Sequence, residues 1–176
     1  MKNSDKKRLN ALEVALTNEQ RERAFYLQNA ERTGNPVGKA MFEQIADDEL
    51  EHYQRLKALH ETWEKKQTWP ETIPLTVKDT KVKDILVTMA TDAANMPPGD
   101  DDDLQAVRTA IEFEAKGERF YADLRDQVTD PQEKRFFNLL ASIEHEHFLS
   151  LKETEEFLVD PASWYRMKER HTLDGA

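Results

Sequence analysis

Apolar side chains in the first part of the chain recur at helical spacing. Leu9, Leu12, Leu16, Glu19, Arg23 and Tyr26 lie three or four residues apart, the period that gathers side chains on one face of an α-helix. Gly34-Asn35-Pro36 breaks the pattern, glycine suiting a helix C-terminal cap and proline the first turn of the next helix. A second stripe follows: Phe42, Ile45, Glu49, His52, Leu56 and Leu59. Val107, Ile111, Glu114, Glu118 and Tyr121 make a third, and Phe137, Leu140, Glu144, His147 and Leu151 a fourth. Asp130-Pro131 marks the start of the fourth helix, with Asp130 as its N-cap. Helices of about 25 residues would be about 38 Å long.

The stripes repeat. Shifted by 95 residues, positions 11–59 align without a gap on 106–154, and fourteen of the 49 pairs are identical. They include Ala15 with Ala110, Phe25-Tyr26 with Phe120-Tyr121, Pro36 with Pro131 and Phe42 with Phe137. Polar pairs are kept too: Glu19 with Glu114, Glu49 with Glu144, and His52 with His147. A gap-free match across a turn means that each half has the same element lengths. The pattern predicts an all-α fold, a four-helix bundle of two helical hairpins (about 9–60 and 104–158) joined by one long crossover (61–103). Trp69-Pro70, Ile73-Pro74 and Pro97-Pro98-Gly99 punctuate the crossover, and Val82 to Ala94 suits a short helix within it. The bundle domain is placed at 1–158, with an extension at 159–176 whose Asp160-Pro161 opens a short helix around Trp164-Tyr165.

Composition narrows the function. Five glycines in 176 residues disfavour turn-dense β architectures. With no cysteine, disulfides, thiolate metal sites and cysteine nucleophiles are excluded from this chain. A net charge of -10 argues against nucleic acid and anionic membrane surfaces as partners. The charged N-terminal residues lead into no signal-like apolar stretch, and runs such as Ile85-Leu86-Val87 are far too short to span a membrane, so a soluble, cytoplasmic protein is expected. The acidic run Asp100 to Asp103 reads as favourable charge at a helix N-terminus rather than a calcium site.

The core-facing stripes nevertheless carry ionisable groups at matched depth. Glu19 and Glu114 interrupt apolar neighbours, and Glu49/His52 and Glu144/His147 are pairs three apart, hence adjacent on a helix face. Burying one unpaired carboxylate costs several kcal/mol, and four together also repel one another. No lysine or arginine recurs on both stripes to neutralise them. Two divalent cations would, with the histidines binding as neutral imidazoles. Four carboxylates and two imidazoles suit iron, with manganese as the alternative, better than zinc.

Glu19 with Phe25-Tyr26, Glu49-x-x-His52, Glu114 with Phe120-Tyr121, and Glu144-x-x-His147 together resemble the rubrerythrin family of the ferritin-like superfamily. The resemblance covers roughly residues 9–158. It implies two iron ions bound by Glu19, Glu49, His52, Glu114, Glu144 and His147, with Glu49 and Glu144 bridging and one histidine on each ion. It further implies an oxidoreductase that reduces peroxide or dioxygen, and a homodimer. Iron oxidation for storage or transfer, and a bundle without catalysis, are the alternatives. Full-length members often carry a cysteine-bound iron domain; its absence resembles the stand-alone forms and implies a separate electron-donor protein. Members commonly have an extra carboxylate three residues after the third-helix ligand, where this chain has Gly117. Glu22 occupies the matching position on the first helix and reads either as its substitute or, more simply, as an exposed helix-surface glutamate.

Tyr26 and Tyr121 lie two helical turns beyond Glu19 and Glu114, so they share the ligand face. Their hydroxyls either hold metal-site carboxylates or simply complete the core. Glu51 and Glu146 point sideways from the stripes, His145 faces away, and His60 and His171 have no counterpart. Trp63, Trp69 and Trp164 are expected to pack the crossover and tail, or a subunit contact.

Overall fold

The computed structural model describes residues 3–66, 78–89, 92 and 95–173. Among them are six helices and no strand: α1 (Asn3–Arg32), α2 (Pro36–Lys66), α3 (Val82–Met89), α4 (Asp101–Gln127), α5 (Pro131–Val159) and α6 (Pro161–Leu173). α1 with α2 and α4 with α5 form the two hairpins, which pack together as the bundle. The four long helices run to 30, 31, 27 and 29 residues, longer than the apolar stripes alone suggest. The stripes undercount because core contacts run nearly to the helix ends: Ala30 in α1, Trp63 in α2 and Leu158 in α5 are buried within three residues of them. No helix among the described residues is long and apolar enough to cross a membrane.

Local chemistry sets the helix ends. The break between α1 and α2 is made by Asn35, whose side-chain oxygen accepts from the backbone of Val37 at 3.0 Å and Gly38 at 3.1 Å. Gly34 follows the end of α1 without a left-handed backbone. At α4, Asp100 and Asp103 form a reciprocal capping box, Asp103 N donating to Asp100 Oδ1 at 2.7 Å. Arg32 Nη2 lies 3.2 Å from Asp103 Oδ1. The acidic run is therefore a helix start tied to the end of α1. Asp130 caps α5 by accepting from Gln132 N at 2.8 Å and Glu133 N at 3.0 Å, with Pro131 in the first turn.

The apolar core comes in two parts. Leu12, Ala15, Leu56, Leu59, Tyr121, Phe136, Phe137 and Leu140 fill one end of the bundle. Tyr26, Met41, Phe42, Ile45, Val107, Ala110, Leu151 and Phe157 fill the other. Along every long helix the change from one part to the other falls at the ionisable residues, so these form a layer between two apolar halves. Shielded above and below, that layer has little access to water, and its charges must be balanced within it.

α3 covers the side of the bundle, burying Val82 and Leu86 against α2 and α5. The helix is described as far as Met89; Ala94, the expected end, lies outside the described residues. α6 folds back on α5, with Trp164 edge-on to Phe157 at 5.6 Å between ring centres. Trp63 is buried near the end of α2 with the Arg8 guanidinium 4.5 Å over its ring. Trp69 lies outside the described residues.

Replacing Asp130 by alanine removes two hydrogen bonds at the α5 N-terminus and should lower stability by about 1 kcal/mol. Urea denaturation followed by circular dichroism measures this, and an unmoved midpoint would mean that the cap contributes nothing.

Candidate metal centre

The six ionisable residues of the stripes meet in the middle layer. Glu19 stands on α1, Glu49 and His52 on α2, Glu114 on α4, and Glu144 and His147 on α5. All six are almost completely buried. They fall into two overlapping groups, Glu19/Glu49/His52/Glu144 and Glu49/Glu114/Glu144/His147. Within each group one oxygen or nitrogen per residue lies within 4.8 Å of the others. Glu49 and Glu144 belong to both. The His52 and His147 rings stand nearly parallel, 6.2 Å apart.

Distances define the faces. His52 Nδ1 is 3.1 Å from Glu49 Oε2, 3.3 Å from Glu19 Oε2 and 3.4 Å from Glu144 Oε1. His147 Nδ1 is 3.3 Å from Glu114 Oε2 and 3.6 Å from Glu49 Oε1. In both imidazoles Nδ1 therefore faces the carboxylates. Several buried oxygens there, Glu19 Oε2, Glu49 Oε1 and both of Glu144, have no hydrogen-bond donor. Unpartnered buried carboxylate oxygens aimed at one another and at imidazole nitrogens form a donor set that fits divalent cations.

Each tyrosine serves the opposite half. The Tyr26 hydroxyl on α1 donates to Glu114 Oε1 on α4, and the Tyr121 hydroxyl on α4 donates to Glu19 Oε1 on α1. Both hydroxyls are buried, and burial with the surrounding carboxylates pushes their pKa values well above the ordinary range. They remain donors that orient the two carboxylates.

The electrostatics of the metal-free layer are strained. Burial and the neighbouring carboxylates drive Glu49 and Glu144 well above the usual carboxylate range. Burial would raise Glu19 and Glu114 too, but hydrogen bonds and the nearby histidines bring both below that range. Burial opposes protonation of His147, yet Glu114 and Asp48 raise it to about 9. Without a metal, protons and imidazolium ions supply the compensating charge.

Glu22 departs from the surface reading. It is 7% exposed, on the α1 face turned toward α4. Burial, then Glu114 and Glu19, push its carboxyl up to about 8. Gly117 accounts for the space: a Cβ there would stand 2.8 Å from Glu144 Oε2. Any side chain at 117 would push Glu144 aside, and its absence leaves room beside Glu22. A crevice of about 440 Å³ opens here, with Glu19, Glu22, Gly117 and Tyr121 among its lining residues. The exposed Arg21 and Lys116, which occupy equivalent positions in the two repeats, line it as well.

Asp48 was not apparent from the sequence. Its Oδ2 lies 2.9 Å from His147 Nε2 and accepts from the Thr80 hydroxyl at 2.6 Å. Burial raises its carboxyl, but the bonds to His147 and Thr80 bring it below the usual range. The position equivalent to Asp48 in the other half is Ile143, so comparing the repeats hides this residue. An acidic residue four before the first-half histidine was the one available signal, and acidic residues are common on these helices.

The remaining candidates lie apart from the layer. His145 is exposed and pairs with Glu118 at 3.2 Å, and His60 lies 3.5 Å from Glu13. Glu51 accepts from the Lys78 backbone at 3.3 Å, and Glu146 lies 3.7 Å from Lys83. The side chain of His171 lies outside the described residues.

A protein-family model described as Rubrerythrin matches residues 10–155. No curated protein and no solved structure matches the chain.

In the metal-free protein His147 and Glu22 have raised pKa values, so the folded state holds their protons after the unfolded chain has released them. Stability from both is full at low pH, and is lost for Glu22 between about 4.5 and about 8 and for His147 between 6.5 and about 9. Melting of chelator-treated protein should therefore shift to lower temperature as pH rises from 6.5 to 9. Metal-loaded protein should lose this dependence, because the ions replace the protons. A metal-free melting temperature that is level or rises across this window would contradict the assignment.

Proposed function

Since the chain belongs to the rubrerythrin family, we propose that its buried layer holds two iron ions and that it reduces peroxide or dioxygen with electrons from a separate donor. The observation that carries the reading is the sharing of Glu49 and Glu144 between two otherwise separate groups of donors. Shared carboxylates suit bridging positions, leaving Glu19 and His52 to one ion and Glu114 and His147 to the other. Two ferrous ions so held would supply the two electrons that reduce an O–O bond. Manganese would satisfy the same donors.

The protein's own part is geometric and electrostatic. Four carboxylates balance the charge of two divalent ions, so the loaded layer is neutral and tolerates burial. Tyr26 and Tyr121 pin the outer carboxylates across the bundle. The apolar layers on either side limit water at the centre. The crevice beside Gly117 is the route for a small oxidant, and Glu22 within it holds a proton near neutral pH. The chain contains no cysteine, so no iron–thiolate relay lies within these 176 residues, and a separate carrier protein returns the electrons.

Anaerobic loading with Fe(II), followed by mixing with peroxide or with oxygen, tests the oxidant. Faster appearance of the di-ferric absorbance with peroxide is the expected result. Faster oxidation by oxygen would favour iron oxidation or oxidase activity, and no change with either would overturn the redox reading. Replacing Glu144 or His147 by alanine should abolish binding of at least one ion per chain while the helical circular dichroism is kept. Unchanged iron content would refute the ligand assignment.

A further inference from the structure

The two halves of the bundle present matched donors: three carboxylates and one imidazole in each group. The match extends to the tyrosines that hold the outer carboxylates but not to the far side of the histidines. His147 Nε2 meets the Asp48 carboxylate at 2.9 Å, whereas His52 Nε2 is buried with no hydrogen-bond partner. The residue equivalent to Asp48 is Ile143, 2% exposed, whose side chain cannot accept a hydrogen bond. From this difference we propose that Asp48 makes the two metal positions unequal, the ion on His147 binding first and more tightly than the ion on His52. The inference rests on the dinuclear reading of the site.

The chemistry follows from the tautomer. A neutral imidazole binds a metal through the nitrogen that lacks the proton, so a metal on Nδ1 requires the proton on Nε2. At His147 that proton has an acceptor in place, and the carboxylate both selects the tautomer and makes Nδ1 a stronger donor. At His52 the same tautomer leaves a buried N–H without an acceptor. Water is poorly placed to help there, because Nε2 is inaccessible and the layer is covered on both sides by apolar side chains.

Asp48 is itself held. The Thr80 hydroxyl donates to the Asp48 oxygen that faces His147, at 2.6 Å, and Thr80 also accepts from Val82 N at 3.3 Å at the start of α3. Thr80 is 4% exposed and Asp48 partly exposed, so this link is largely shielded from water. Lys78 N donates to Glu51, one turn along α2. The end of the crossover thus positions Asp48, and through it one imidazole. Asp48 is a positioning residue: it acts on the metal only through His147.

Titration of metal-free protein with Co(II), followed by its visible absorbance, tests the proposal. The wild type should take up two equivalents in two resolved steps. Asp48→Ala should weaken the tighter step by about 10–100-fold, the range for loss of a partner hydrogen-bonded to a metal-bound histidine, and leave the weaker step in place. Asp48→Asn should recover part of the loss, since its amide oxygen still accepts the Nε2 proton. Thr80→Val, which leaves every ionisable group intact, should weaken the same step by less. His52→Ala should keep the tight step, and His147→Ala only the weak one. Two equal steps in the wild type would overturn the inequality while leaving the dinuclear site standing. Equal weakening of both steps by Asp48→Ala would reduce Asp48 to general structural support. Absence of Co(II) binding by the wild type would overturn the dinuclear reading and this inference together.

Discussion

Four carboxylates share one layer in the middle of a helical bundle, and their mutual repulsion is the constraint around which the molecule is arranged. Two apolar halves close over the layer and deny it water, which strengthens every interaction within it. Glu49 and Glu144 are driven toward their neutral forms, while Glu19 and Glu114 stay charged by leaning on the histidines and tyrosines. Such a layer is a poor contributor to stability by itself. Its donors could hold metal cations, whose charge would relieve the repulsion and replace the bound protons. The same arrangement that burdens the fold without metal would give a loaded one the chemistry proposed for it.

The repeat solves the construction problem. One helical hairpin carrying a glutamate, an aromatic pair and a Glu-x-x-His turn supplies half of the donors, and a second copy completes them. The tyrosines cross from one half to the other, so neither hairpin orients its own outer carboxylate. Joined in this way, the hairpins depend on each other for the layer as well as for the core.

Where the repeat is broken, the two sides acquire different work. At the pair 22/117 a glutamate faces a glycine, which opens a crevice on one side and gives Glu144 its space. At 48/143 an aspartate in one repeat corresponds to an isoleucine in the other, so one histidine gains a partner and the other does not. The crossover has no counterpart in the repeat at all. Through Thr80 and Lys78 it is hydrogen-bonded to α2, while α3 packs on α5 as well. Near-symmetry brings the donors together, and its exceptions differentiate them.

Much of this was legible from residue order, because helical periodicity is local. Spacings of three and four place Glu49 with His52 and Glu144 with His147 on one face whatever surrounds them, and the all-α fold and its turns follow from the same period and from Pro36, Asp130 and Pro131. Other features depend on how helices meet. Glu22 looked like a surface residue because nothing local says that α1 turns this face toward α4, or that Gly117 leaves a space there. Whether Tyr26 and Tyr121 hold carboxylates or merely fill the core was open until the helices were packed. Asp48 and His147 are 99 residues apart, and no local pattern registers one against the other. The sequence by itself therefore determined the helices and the chemical inventory of the layer. Which buried group touches which was decided only by tertiary packing, since hydrogen bonds between helices depend on ångström-scale register that periodicity does not encode.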